Sequence, residues 1–199
     1  MEVIDKLYYE RLMQSEGCSY IAGIDEVGRG PLCGPVMCAI VIMPLDDIIE
    51  GIDDSKKLSK KKRELLYDEI KTKAIAYSIC KIDADEIDKI NILNATKKCM
   101  VDCINTISVK PDVVLIDAVK LDVDCKTLSI IKGDLKSYTI GCASILAKVT
   151  RDRLMEEYAK LYPQYGFERN SGYGTKEHIT AIKEYGACPI HRKTFIKNF

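Results

Sequence analysis

With 199 residues, 47% of them hydrophobic, the chain can bury one sizeable core and is too short for several. Thirty basic residues balance thirty acidic ones, so the molecule as a whole is no general electrostatic sink for nucleic acid, and any polyanion site must be a local patch. The nine cysteines are odd in number and form no CxxC pair, as expected of reduced, buried thiols in a cytoplasmic protein; the acidic N-terminus MEVIDKLYYERLM does not read as a signal peptide, and no apolar run approaches membrane-spanning length.

Ile4, Leu7, Tyr8 and Leu12 recur at helical spacing and predict an amphipathic helix over the first sixteen residues. Residues 20–26 and 36–43 read as two strands, most simply an antiparallel pair, joined by the glycine-rich turn GRGPLCG. Asp25 and Glu26 sit where the first strand leaves the core. Burying such a pair is costly unless a cation joins it, and a hard divalent metal is the usual remedy. Gly28 and Gly30 let the backbone approach a ligand closely, and Arg29 between them offers a planar fork for phosphate. An acid pair beside a phosphate-reading turn suggests metal-dependent phosphodiester chemistry, although the same residues would also suit an ordinary solvated strand end. A dinucleotide-binding turn is excluded, because the glycine spacing is off by one and PVMCAIVIM continues as a strand.

Residues 53–64 gather six basic side chains around a helix start capped by Ser59, with Leu65, Leu66 and Ile70 expected to carry that helix into the core. A third strand is expected over 74–82. Asp83 and Glu86 have capping-box spacing, and a longer helix over 91–107 carries the stripe Leu93, Met100, Ile104, Ile107. Cys99 and Cys103 share a face of it, a placement that packing explains. The run DVVLID over 112–117 again ends in an acid. A helical crossover into it implies parallel pairing, and if its partner is 20–26, Asp117 emerges beside Asp25. A fifth strand over 128–132 leads to Gly133 and Asp134. A long helix over 137–161 is expected to turn Ile145, Val149 and Leu154 inward and to leave Lys148, Arg151 and Arg153 for solvent or phosphate; Pro163 closes it. The loop Gly172-Tyr173-Gly174 precedes a helix capped by Thr175 that ends before Gly186. His178 and His191 lack a partner acid at useful spacing and read as structural or backbone-contacting.

In order, the segments GIDEVGRGPLCGPV, DSKKLS, VLIDAV, IIKGDLKSYTIGCASILAKVTRDR, GYGTKEH and CPIHRKTF resemble those of ribonuclease HII, over about residues 20–195. The resemblance implies an α/β, ribonuclease H-like fold, a five-stranded mixed sheet flanked by helices. It implies a catalytic domain over 1–160 and a small helical C-terminal part over 161–199 packed on the same domain. It implies catalysis and metal binding by Asp25, Glu26, Asp117 and Asp134, with two Mg²⁺ or Mn²⁺ ions during the reaction. Substrate binding falls to Gly28, Arg29, Gly30, Tyr173 and Lys56, the tyrosine packing on the sugar at an RNA-to-DNA junction. The implied activity is that of a ribonuclease H giving 5′-phosphomonoesters, cutting RNA/DNA hybrids and nicking 5′ to single ribonucleotides in duplex DNA. A monomer is expected, with no membrane association; the tail RKTFIKNF has too little pattern to support a sliding-clamp partner. The sequence departs from the family pattern at Ser171, where lysine is common, Leu135, where alanine is usual, and Ala187, where proline is frequent; the first removes one phosphate contact.

Overall fold

The computed structural model describes residues 5–53 and 55–198. Among these the strands are β1 (Ile21–Val27), β2 (Val36–Ile42), β3 (Ala76–Ile82), β4 (Val113–Asp117) and β5 (Lys126–Ile130). They form one five-stranded sheet in the order β3-β2-β1-β4-β5. β2 runs antiparallel to β1 and to β3, and β4 runs parallel to β1 and β5. The mixed sheet is the one expected, and the earlier strand with which β4 pairs in parallel is β1.

The helices are α1 (Tyr8–Ser15), α2 (Lys60–Lys73), α3 (Ala84–Ile90), α4 (Ile92–Thr106), α5 (Gly133–Lys136), α6 (Tyr138–Leu161), α7 (Phe167–Asn170) and α8 (Lys176–Tyr185). Because β1, β2 and β4 are apolar on both faces, each face needs a cover. Cys99, Met100 and Cys103 of α4 pack with Ala22, Ile24, Cys38, Ile40, Val114 and Ile116 on one face. On the other, Ala39 and Val41 meet Leu66 and Ile70 of α2 and Cys142, Ile145, Leu146 and Val149 of α6. All nine cysteines are free thiols.

Several expectations needed adjustment. The first helix begins at Tyr8, and Ile4 lies outside the described residues. The fifth strand starts two residues early and ends at Ile130, since Lys132 adopts a left-handed backbone with φ 58° that an extended strand cannot continue through. On α2, Leu65 is exposed while Leu66, Tyr67 and Ile70 are buried. On α4, Leu93 is exposed and the buried stripe runs through Ala95, Thr96, Cys99, Met100 and Cys103. The capping box at α3 does not form, because Asp83 makes no side-chain cap and its Oδ1 accepts instead from Lys81 Nζ at 3.0 Å. At the inner face of α6, Met155 is buried where Leu154 was expected. Arg151, expected at the surface, is 1% exposed.

Two contacts fix α6 over the sheet. Glu10 of α1 is buried and its Oε1 accepts from Ser137 Oγ at 2.6 Å, Thr139 N at 2.9 Å and Thr139 Oγ1 at 2.9 Å, which places a carboxylate at the helix N-terminus where the dipole favours it. Gly23 of β1 then lets α6 touch the strand backbone to backbone. A Cβ there would lie 2.1 Å from Thr139 C and 2.3 Å from Ile140 N, and no rotamer relieves a clash with main chain. Gly23→Ala should therefore destabilise the protein by about 3 kcal/mol and lower the unfolding midpoint by roughly 6–12 °C, measured by thermal or urea denaturation.

Candidate active site

The site grows from the β1–β4 register. Ile24 pairs with Ile116, and both face α4; one residue further, Asp25 and Asp117 stand side by side on the face covered by α6. Glu26, on the opposite face by alternation, reaches the same cleft at the strand end. Gly133 closes the third side: its N–H donates to Asp117 Oδ1 at 2.7 Å, and a Cβ on it would press within 2.6 Å of Ile140 Cδ1. That bond carries the next residue, Asp134, to the acid group. The backbone is forced where these acids converge, with left-handed non-glycine conformations at Ala118 (φ 48°) and Lys132 (φ 58°).

Asp25, Glu26, Asp117 and Asp134 line one cleft of about 390 Å³ together with Val27, Ser55, Lys56, Arg63, Ser144, Lys148 and Tyr173. Acidic and basic side chains thus line the same cleft. Arg63 is held in place by the carbonyls of Ser55 (3.0 Å) and Leu58 (2.6 Å), and Lys148 by Asp152 at 2.6 Å.

Burial raises Asp25 well above the ordinary carboxylate range, and the neighbouring charges of Glu26 and Asp117 add to the rise; a hydrogen bond from Ser144 and the Glu26 N–H, 2.7 Å from Oδ1, oppose it. Glu26 is also raised, again chiefly by burial, with Arg29 pulling it down from 3.3 Å and Asp117 pushing it up. No cationic side chain pairs with Asp25 among the described residues, and Glu26 Oε2 is buried with no hydrogen-bond partner. Clustered carboxylate oxygens, one of them unsatisfied, are the donor set of a hard divalent cation.

The other predicted binding residues divide by position. Lys56 and Tyr173 line the cleft. The Tyr173 ring lies over Gly30, its Cε1 3.6 Å from where a Cβ would stand, and a larger residue at 30 would close that space. Gly28 has φ 88°. Arg29 pairs with Glu26 and remains half exposed.

Two arginines outside the expected set shape this turn. Arg192 is buried and donates to the carbonyls of Gly28 (2.6 Å), Arg29 (2.9 Å) and Gly34 (2.9 and 3.0 Å). Arg151 donates to those of Cys33 (3.1 Å), Pro35 (3.0 Å) and Ser171 (3.0 Å). The loop between β1 and β2 is thus held by guanidinium groups where strand pairing stops. No periodicity marks these roles; the nearest signal was the motif containing His191-Arg192. Ser144, which bonds Asp25 and lies 3.0 Å from Ser55 Oγ, looked in the sequence like one more small residue of α6.

The sequence model of the family described as Ribonuclease HII matches residues 22–198, nearly the whole chain. The chain belongs to the ribonuclease HII family. It is 56% identical over 201 residues to the ribonuclease HII of Ruminiclostridium cellulolyticum, an alignment covering 100% of this chain and 79% of that one. The crystal structure of ribonuclease H2 from Pyrococcus horikoshii superposes with a TM-score of 0.77 at 27% identity, over 90% of this chain and 96% of that one. The ribonuclease HII in a PCNA complex from Archaeoglobus fulgidus superposes with a TM-score of 0.76 at 26% identity, over 87% and 94%. Membership makes the chain a ribonuclease H, an endonuclease acting on RNA/DNA substrates. No described helix is long and apolar enough to cross a membrane.

The raised pKa of Asp25 makes a stability prediction for this ribonuclease HII. Its ionised form is disfavoured in the fold, so stability falls as pH rises from the ordinary aspartate value of about 4 through the raised folded value. Asp25→Asn should raise the melting midpoint of metal-free protein by roughly 2–4 °C at pH 7.5, corresponding to ~1 kcal/mol, with the gain vanishing near pH 4. Scanning calorimetry in chelator at the two pH values checks this.

Proposed function

We propose that this ribonuclease HII nicks duplex DNA on the 5′ side of a single embedded ribonucleotide as well as cutting the RNA strand of hybrids, leaving 5′-phosphomonoesters. The observation carrying the proposal is the convergence of four carboxylates, one with an unsatisfied buried oxygen, beneath a tyrosine and a glycine turn. Asp25, Glu26, Asp117 and Asp134 would hold two Mg²⁺ or Mn²⁺ ions, which when bound activate water and stabilise the departing 3′ oxygen.

The chain's own groups do the rest. Lys56, lining the cleft with Arg63 and Lys148, supplies positive charge there and attracts the scissile strand's phosphates. The backbone of Gly28, Arg29 and Gly30 approaches the sugar where side chains would intrude, and the half-exposed Tyr173 ring stacks on it, so the pair reads a 2′-OH. Arg29, by pairing with Glu26, keeps that acid oriented toward the cleft. In this reading residues 1–160 form the catalytic domain with the glycine turn, and 161–199, packed on it, supply the tyrosine of the reader.

The test is a nicking assay on labelled duplexes. With Mg²⁺ or Mn²⁺, a duplex containing one ribonucleotide should be cut on its 5′ side and an all-DNA duplex left intact; chelator should abolish cutting. Asp25→Asn should lower kcat/KM by about 10³-fold or more. Near-normal cutting by that variant would remove the acid group from the mechanism. Tyr173→Ala should cost roughly tenfold at a junction, the worth of one stacking contact, and less within a continuous hybrid.

A further inference from the structure

Behind the reader lies a buried group that the proposed chemistry does not use. Cys33 Sγ and a ring nitrogen of each of His178 and His191 lie within 4.8 Å of one another, all three side chains buried, a spacing that invites a soft-metal interpretation. The hydrogen bonds decide otherwise. His191 Nδ1 is 2.9 Å from the backbone N–H of Cys188, which can only donate, and this contact is shorter than those to Cys188 Sγ at 3.1 Å and Cys188 O at 3.3 Å, so that nitrogen is bare and the neutral ring carries its proton on Nε2. His178 Nδ1 is 2.9 Å from the carbonyl of Tyr173, which can only accept, so His178 carries its proton on Nδ1 and its Nε2 is bare. The two Nε2 atoms are 3.0 Å apart, a bond from His191 to His178. With a proton on its Nε2, His191 has no lone pair to offer a metal there.

We propose that His191 and His178 form a one-way hydrogen-bond relay, from the Cys188 amide to the Tyr173 carbonyl, and act as positioning residues for Tyr173. The proposal rests on the reading of Tyr173 as the residue that contacts the sugar. Only neutral rings in these two tautomers satisfy all three bonds, and burial lowers both imidazoles, His191 to about 4 with the neighbouring His178 contributing. The Cys33 thiol, pushed up by burial to about 12, stays protonated beside them. The edges and faces of Tyr165 and Phe167 lock the rings, at 4.9 Å from His191 and 5.3 Å from His178.

The relay has a fixed origin. His191 forms an isolated antiparallel bridge with Cys33 of the glycine turn, and Arg192 next to it grips Gly28, Arg29 and Gly34. At the far end the Tyr173 loop is set by bonds that leave its orientation to its own carbonyl: Gly172 O accepts from Leu32 N at 2.8 Å, Tyr173 N donates to Asn170 O at 2.9 Å, and Tyr173 O accepts from Thr175 N at 2.8 Å beside the His178 bond. The relay therefore sets how far the tyrosine ring stands from Gly30.

The test pairs spectroscopy with kinetics. The chain contains two histidines, so ¹⁵N-histidine spectra of the metal-free wild type at pH 7.5 can be assigned with one variant. The expected spectrum shows one neutral ring protonated on Nδ1, His178, and one on Nε2, His191. His178→Ala should reduce kcat/KM on the single-ribonucleotide duplex roughly five- to tenfold, the value of one hydrogen bond, and less than about twofold on a continuous hybrid. His178→Asn, whose amide NH₂ can replace the Nδ1 donor, should come back to within about twofold of wild type. Adding His178→Ala to Tyr173→Ala should cost nothing further, because the two act in series. Swapped tautomers, a cationic ring, or stoichiometric zinc bound at the pair would overturn the relay directly. So would equal losses on both substrates without rescue by asparagine, the pattern of simple destabilisation. Correct tautomers with a silent Tyr173→Ala would instead locate the failure in the reading of the tyrosine, and the positioning role would fall with it.

Discussion

Asp25 carries a charge that the fold has made expensive. It sits 6% exposed at the end of a central strand, with Glu26 and Asp117 near enough to raise its pKa further and, among the described residues, no salt-bridge partner. Such a group survives in a structure only if its surroundings are rigid or if something positive joins it. Here the surroundings are rigid because Gly23 brings α6 into backbone contact with β1, two residues before the acid, and because Glu10 anchors the start of α6. Ser144 then stands over Asp25, and Gly133 bonds Asp117. The electrostatic tension of the site is built by packing.

The same economy of contacts explains why the sheet has mixed polarity. Parallel β1 and β4 bring Asp25 and Asp117 out at the same end, while the antiparallel return of β2 leaves the loop 28–35 at that end too. A purely parallel arrangement would need a long crossover there; a tight loop stays within reach of the acids. The glycine turn and the four carboxylates then share one rim, and the loop before α8 brings Tyr173 to it, against Gly30.

Much of this was legible before any coordinates. Two apolar runs ending in acids, IAGID and VVLID, with a helical stretch between them, put Asp25 beside Asp117 once the two are taken as partners, and caps at Ser59 and Thr175 marked helix starts because each hydroxyl accepts an amide three residues on. What escaped was long-range and chemical. Arg151 falls on a helix among Lys148 and Arg153, and periodicity cannot say that its guanidinium turns inward to three carbonyls while Arg153 pairs with Glu64 and lies over Tyr67. Leu65 and Leu93 were misplaced because an apolar residue one step off the buried stripe is indistinguishable by type from one on it. Asp83 had the right spacing for a box, yet a lysine two residues earlier competes for its oxygen. The relation of His178 to His191 depends on the tertiary fold, which brings two residues thirteen positions apart to within 3.0 Å.

The grip of Arg192 on Gly28, Arg29 and Gly34 spans 158 to 164 positions of sequence. The sheet and the four acids all precede that residue in the chain by 58 positions or more. Without it the carbonyls of Gly28, Arg29 and Gly34 lose their guanidinium donor, and in that turn Arg151 holds only those of Cys33 and Pro35. The shape of the turn thus depends on a residue far removed in sequence from the sheet and the acids that the turn borders.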